Sequence, residues 1–268
     1  MPELPDVEHF RRVLASSALG RTVAKTEVRR KEILEDVSPA HLGKALKGNR
    51  FEAADRHGKH LFLRLADGGW LLLHFGMTGY PRVYEDPGEE PDHARFVAHF
   101  EDGGFLAVSM QRLLGRIRLV EEKEAYLEEL GLGPDAASVD LPAFREILKR
   151  TGGTLKGFLL NQGRIAGVGN IYGDEILFQA RMHPKASPRD LDADEARDLH
   201  RALKRVLRKA ADIGADPDRM PRSWVIPSRE EGGTCPRCGG PLERISVSGR
   251  NGFWCPRCQT RGAPHPAR

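Results

Sequence analysis

Four cysteines stand in the pattern Cys235-x2-Cys238, sixteen intervening residues, Cys255-x2-Cys258, and the 268-residue chain has no others. Each pair can place two thiolates on one knuckle, and a hairpin between the pairs closes a four-sulfur site of the kind that holds zinc. Pro236 and Gly239-Gly240 suit knuckle turns, and SVSGRNGFW suits two short strands around a Gly-rich tip. Four protein ligands leave no open position on the metal, so this zinc would be structural. Arg237, Arg244, Arg250, Arg257 and Arg261 surround the cysteines, with Phe253 and Trp254 interleaved. A basic hairpin pinned by zinc suits a nucleic-acid groove, and a plain zinc ribbon for protein contacts is the alternative.

Two further segments carry chemistry. In RIAGVGNIYGDEILFQARMHP, two apolar helical stretches flank the turn Gly167-Val168-Gly169-Asn170. Backbone amides at such a turn and at the following helix N-terminus can hold a phosphate, and Asn170 adds a side-chain donor; plain chain reversal is the alternative. The chain opens MPELPDVE. Removal of Met1 would leave Pro2 with a free secondary amine. Such an amine attacks an aldehyde-level carbon to give a cationic iminium, an electron sink needing no further protonation. Glu3 stands beside it, able to move protons to and from the reacting sugar.

The elements that must position these groups read as three segments. Val7, Phe10, Leu14 and Ala18 make one apolar helical stripe. From Val23 to about Val120, runs such as HLFLRLADGGWLLLHFG and ARFVAHFEDGGFLAVSM are bounded by Asp-Gly and Gly-Gly turns, which predicts antiparallel strands in a sandwich or barrel. LGLGPDAASVD reads as a linker, followed by the helical patterns LPAFREILKRT, TLKGFLLNQ, NIYGDEILFQARM and DADEARDLHRALKRVLRKAADIG, the last with Asp192 or Asp194 as N-cap and Gly214 as its stop. Boundaries of 1–134, 135–228 and 229–268 follow. Residues 1–140 hold 19 Lys and Arg against 24 Asp and Glu, and residues 141–268 hold 23 against 14. The overall +4 therefore sits on the second half, which is how a polyanion-binding surface would look, with solvated faces of helices as the alternative. No apolar run reaches the roughly 18–20 residues of a membrane span, and the acidic N-terminus lacks the regions of a signal peptide. An intracellular, cytoplasmic protein without a membrane partner is expected, with its thiols reduced.

Taken in order, PELPDVE, RHGKHLF, HFGMTG, GVGNIYGDEILF and GRNGFWCPRCQ resemble the formamidopyrimidine-DNA glycosylase / endonuclease VIII family along the whole chain, and its formamidopyrimidine branch at the start. The resemblance implies an α+β multidomain fold: an N-terminal antiparallel β-sandwich flanked by helices, a helical middle domain with a helix–two-turn–helix, and a C-terminal four-cysteine zinc-finger β-hairpin. It implies a base-excision-repair glycosylase and abasic-site lyase acting on damaged double-stranded DNA as a monomer, with one structural zinc. Pro2 would be the nucleophile, Glu3 the general acid/base at the deoxyribose, and Lys59 a phosphate contact that assists proton transfer. Asn170 and Arg250 would grip the phosphates flanking the lesion so that the base flips out, at a cost of a few kcal/mol. Met77 would fill the vacated space, Arg112 would meet the opposite base, and Lys156 and Tyr172 would add DNA-backbone contacts.

The chain departs from the family pattern in places. SMQRLLGR keeps Arg112 but puts Leu113 and Leu114 where a second arginine and an aromatic wedge usually stand. The segment before Cys235 is short, offering Arg222 and Trp224 where the formamidopyrimidine branch has a flexible cap, and Asp6 replaces a glutamate. These departures leave 8-oxoguanine, ring-opened purines, oxidised pyrimidines and abasic sites all open as lesions. The alternative to an enzyme is a non-catalytic protein that binds damaged DNA on the same scaffold.

Overall fold

Alternation of apolar residues in the first half puts both faces of its strands to use. The computed structural model describes residues 1–262 and divides into two units, Met1–Pro2 with Asp6–Gly131, and Glu3–Pro5 with Leu132 onward. In the first, β1 (Val23–Val28), β6 (Ala94–Phe100), β7 (Phe105–Ser109) and β5 (Tyr80–Tyr84) form one antiparallel sheet in that order. β2 (Phe51–His57), β3 (His60–Leu65), β4 (Trp70–His74) and β8 (Arg116–Val120) form the other. Leu61, Leu63, Leu71, Leu73, Phe96, Ala98, Leu106 and Val108 fill a common core between the sheets, joined by Val7 and Leu14 of α1 (Leu4–Ser17). Each of the leucine, valine and phenylalanine side chains among them contributes about 1.5–3 kcal/mol by leaving water. Two short helices, α2 (Pro39–Leu46) and α3 (Lys123–Glu129), complete the unit. The intervening strand residues face outward into smaller clusters: Phe62 and Leu72 meet Tyr126 of α3, and Val97 meets Phe105 and Ala107. Tight turns close the hairpins, with Gly103 and Gly104 at φ +99 and +64 after Asp102, the left-handed conformations such turns demand.

The second unit holds α4 (Leu141–Arg150), α5 (Leu155–Leu160), α6 (Asn170–Ala180) and α7 (Ala193–Asp212), then the hairpin β9 (Glu243–Val247) and β10 (Arg250–Trp254). Of the two N-cap candidates for α7, Asp192 takes the position, completing a capping box with Glu195. The α6 helix is the centre of this unit: every residue from Tyr172 to Phe178 is buried. An apolar face all round is what a helix needs to sit inside a domain, yet α6 carries Asp174 and Glu175 there. Buried carboxylates require partners. Glu175 finds them in Gln179 Nε2 at 2.7 Å and in the amides of Val225 and Ile226 at 2.8 and 3.1 Å. Among the described residues no helix is long and apolar enough to cross a membrane.

Candidate active site and DNA interface

The Gly-x-Gly turn before α6 is occupied by the chain's own N-terminal segment. Glu3 is 2% exposed. Its carboxylate accepts hydrogen bonds from the amides of Gly169 at 2.8 Å, Ile171 at 2.8 Å and Tyr172 at 3.2 Å. Leu4 donates its own amide to the Gly167 carbonyl at 3.0 Å. Both glycines are required by this approach. A Cβ on Gly169 would lie 2.5 Å from Glu3 Oε1, and one on Gly167, whose φ is +114, would lie 2.5 Å from Leu4 Cδ1. Amides that the sequence offers to a phosphate are taken by a carboxylate instead. The physics is the same, since a helix N-terminus stabilises whichever anion reaches it.

Asn170 lies at the start of α6, half-buried, and its Nδ2 donates to the carbonyl of Asn251 on β10 at 2.8 Å. Arg250, the residue before Asn251, is exposed. Two of the expected phosphate-gripping residues therefore stand within a single hydrogen-bonded assembly. Lys156 and Tyr172 do not join them at the surface. Tyr172 is 4% exposed and Lys156 0%, with its Nζ 2.6 Å from Asp174 Oδ1. The Lys156 ammonium is committed to that carboxylate, because an unpaired charge at such depth would cost several kcal/mol, so a direct side-chain contact with a DNA backbone is replaced by an internal ion pair. Trp224, at 7% exposure, packs in the helical core rather than on a lesion-facing loop, while Arg222 is exposed.

In the β-sandwich unit, Lys59 follows Gly58 in the β2–β3 turn and is 9% exposed. Burial first, then the charges of His74 and His57, hold the His60 imidazole down at about 3, and burial with the charges of Lys59 and Arg116 holds His74 at about 4. Both rings are neutral near pH 7. Phe75 is buried and anchors the Gly76–Gly79 turn, whose tip presents Met77 at 40% exposure. Met77 is thus a surface residue, as a wedge must be. A Cβ on Gly76 would lie 2.5 Å from the Leu114 carbonyl carbon, so the Met77 turn packs against the backbone of Leu114 and Gly115. Arg112 is exposed, Leu114 is 47% exposed, and Leu113 is held at φ +51. That conformation costs a residue without special backbone freedom about 1–3 kcal/mol.

The four cysteine sulfurs lie within 4.8 Å of one another, with Cys235 and Cys258 Sγ 3.9 Å apart and Cys238 and Cys255 Sγ 3.5 Å apart. A tetrahedral ion with bonds of about 2.3 Å spaces its sulfurs by roughly 3.8 Å. The four residues fit, and hold, one structural zinc. The knuckle is stapled by Gln259, whose Oε1 accepts from the Cys255 amide at 2.8 Å while its Nε2 donates to the Met182 carbonyl at 3.0 Å. Two of the module's arginines serve the scaffold. Arg237 donates to the Phe178 carbonyl at 3.1 Å and lies over its ring, and Arg261 pairs with Asp198 at 2.9 Å.

Comparison with known proteins identifies this arrangement. Residues 1–117 match the formamidopyrimidine-DNA glycosylase N-terminal domain, residues 130–220 its H2TH domain, and residues 232–261 the zinc finger found in FPG and IleRS. The formamidopyrimidine-DNA glycosylase of Thermus thermophilus is 37% identical over 98% of this chain and 100% of its own, and that of Heliobacterium modesticaldum 35% over 97% and 100%. The chain belongs to the formamidopyrimidine-DNA glycosylase family. Solved structures agree: Lactococcus lactis Fpg (MutM) in complex with a FAPY-dG containing DNA is 28% identical, with a TM-score of 0.87 over 97% of this chain and 100% of that one. The same protein with an abasic site containing DNA superposes with a TM-score of 0.86 over the same shares.

Asp174, Arg229 and Gly252 are not among the residues that motif and spacing single out. Arg229 Nη2 lies 2.7 Å from Asp174 Oδ2, and the Phe253 amide donates to the same oxygen at 3.0 Å. A signal was present, an Asp-Glu pair inside a helix apolar on every side, which announces a buried ionic contact without naming its partners.

Proposed function

We propose that the protein is a base-excision-repair DNA glycosylase with abasic-site lyase activity, in which Pro2, freed by removal of Met1, attacks C1′ of a damaged nucleotide. The observation that carries this reading is the Glu3 carboxylate. It is buried, held by three backbone donors and joined by one peptide bond to Pro2. A protein that only binds DNA has no need of a fixed proton-transfer group beside its terminal imine-forming amine.

In the reaction, the Pro2 nitrogen bonds to C1′ and the glycosidic bond breaks, the base leaving with its electron pair. The Glu3 carboxylate takes the proton that the Pro2 nitrogen sheds on bonding to C1′ and delivers it to the sugar ring oxygen as the ring opens. This leaves a cationic iminium, and the departed base takes its proton from water. The iminium acidifies the C2′ proton; its loss expels the 3′ phosphate, and a second elimination expels the 5′ phosphate. Hydrolysis of the iminium returns Pro2. Lys59 assists at a lesion phosphate, Asn170 and Arg250 grip flanking phosphates, Met77 fills the space of the flipped base, and Arg112 meets the opposite base. The zinc supplies no step and holds the hairpin that bears Arg250. Residues 1–134 serve as the catalytic segment, 135–228 as the helical one and 229–268 as the zinc finger. Oxidised or ring-opened bases are the substrates, the protein acting as an intracellular monomer on duplex DNA.

Borohydride trapping on a duplex with an abasic site tests this directly. A covalent adduct mapping to Pro2, absent in Pro2→Gly and in protein retaining Met1, is expected. Absence of an adduct from protein with a free Pro2 amine would refute the mechanism and favour a damage-binding protein.

A further inference from the structure

One carboxylate in the second unit joins four pieces of chain. Asp174, on α6, is fully buried. Its Oδ1 accepts from Lys156 Nζ of α5 at 2.6 Å. Its Oδ2 takes Arg229 Nε at 2.9 Å, from the segment before the zinc knuckle, and the Phe253 amide of β10 at 3.0 Å. Gly252 sits against the pair so closely that an added Cβ would overlap Lys156 Nζ and lie 2.6 Å from Asp174 Oδ1. Arg229 also lies 5.4 Å from the centroid of the Phe253 ring and reaches the Asn170 carbonyl at 3.4 Å.

The place of this cluster gives it a task beyond packing. Asp174 is one turn along α6 from Asn170, on the same face, and Asn170 in turn holds Asn251. Zinc fixes the internal fold of the hairpin through residues before β9 and after β10. The knuckle meets α6 at its C-terminal end, through Arg237 and Phe178, and the seating of β10 beside Asn170 at the other end is left to other contacts. A slip of one residue moves a strand by about 3.3 Å and turns its side chains to the opposite face, which would take Arg250 off any phosphate shared with Asn170. The Asp174 carboxylate opposes such a slip because it accepts the amide of one hairpin residue, Phe253, and because a slip would bring in place of Gly252 a residue whose Cβ would overlap Lys156 Nζ.

We propose that Asp174 is a positioning residue that sets the register of the zinc-finger hairpin on α6, through Lys156, Arg229 and the Phe253 amide, so that Asn170 and Arg250 meet the DNA backbone together. This rests on the assignment of Asn170 and Arg250 to phosphates made above.

The test uses full-length, zinc-loaded protein and a duplex bearing a tetrahydrofuran abasic analogue, with affinity measured across a series of KCl concentrations. Each phosphate contact contributes about 0.9 to the slope of log affinity against log salt. Asp174→Asn is expected to weaken binding about tenfold and to lower the slope by about one such contact, with zinc still at one per chain. Gly252→Ala perturbs the same register without changing a charge, and the same result is expected from it, which covers the case of an Asp174 variant that does not fold. In an Arg250→Ala background neither change is expected to weaken binding further. An unchanged slope, or losses that multiply with that of Arg250→Ala, would overturn the proposal, since a merely structural residue lowers the folded fraction without altering the contacts the folded fraction makes. Arg250→Ala alone tests the underlying assignment: an unchanged slope in that variant would remove Arg250 from the phosphates, whatever Asp174 does.

Discussion

Replacing Gly169 by alanine inserts one methyl group into the seat of the Glu3 carboxylate. Gly169 has φ −124, a conformation open to any residue, so the substitution carries no backbone penalty and its whole effect is steric. The new carbon would lie 2.5 Å from Glu3 Oε1 and 2.6 Å from Cγ. Ordinary contact needs about 3.5 Å, so the carboxylate must retreat by roughly 1 Å. That movement lengthens its hydrogen bonds to the amides of Gly169 and Ile171, now 2.8 Å each. Loss of one such bond to a charged acceptor costs about 1.5–3 kcal/mol, and a displacement of about 1 Å in a catalytic group slows chemistry by about 10²-fold. The assay is single-turnover iminium trapping on a duplex with a preformed abasic site, alongside DNA affinity and a thermal melt. Trapping is expected to slow about 10²-fold while affinity changes little, because Glu3 is not assigned to a phosphate. A folded Gly169→Ala protein that traps at the wild-type rate would refute the reasoning, for it would mean that the anchored position of Glu3 does not matter to the reaction.

Three other outcomes follow from the same structure. Cys255→Ser should drop zinc from one per chain to a small fraction, since metal binding is part of the folding energy of such a module, and weaken DNA binding by more than about 10²-fold; metal analysis and anisotropy read both, and full retention of zinc would contradict the four-sulfur site. Burial pushes the Glu175 carboxyl up to about 7, against hydrogen bonds from Gln179, Ile226 and Val225. The folded state therefore binds this proton more tightly than the unfolded state, and the resulting stability is fully present below about pH 4.5 and is lost as pH rises through about 7. Denaturant titrations should show a fall of up to about 3 kcal/mol over that window relative to Glu175→Gln, with tryptophan fluorescence as the probe; an identical pH dependence in the variant would count against it. Met77→Ala should leave stability within about 0.5 kcal/mol, as for an exposed side chain. It should slow excision of a paired lesion about tenfold while hardly altering lyase action on a preformed abasic site, the wedge being needed to hold the base out; equal slowing of both steps would argue against a wedge.

Much of this molecule could be read from residue order alone. The zinc site follows from cysteine spacing because a knuckle is local geometry, and the strands, hairpin turns and helices follow from alternation, Asp-Gly and Gly-Gly pairs, and apolar periodicity. The proposed nucleophile, Pro2, was legible too, through the resemblance carried by the opening PELPDVE. What residue order could not supply was which groups satisfy one another across long stretches of chain. The amides of the Gly167–Asn170 turn are an anion site in any reading, but only the fold delivers Glu3, 166 residues from Gly169, to occupy it. Lys156 looks like any lysine ready for a phosphate until Asp174, Arg229 and Gly252 close around it. Trp224 looks like a loop aromatic until the helical core absorbs it. Periodicity records the free energy of burial one residue at a time, whereas the pairing of buried charges and orphaned amides is decided by distances that exist only after the chain has folded.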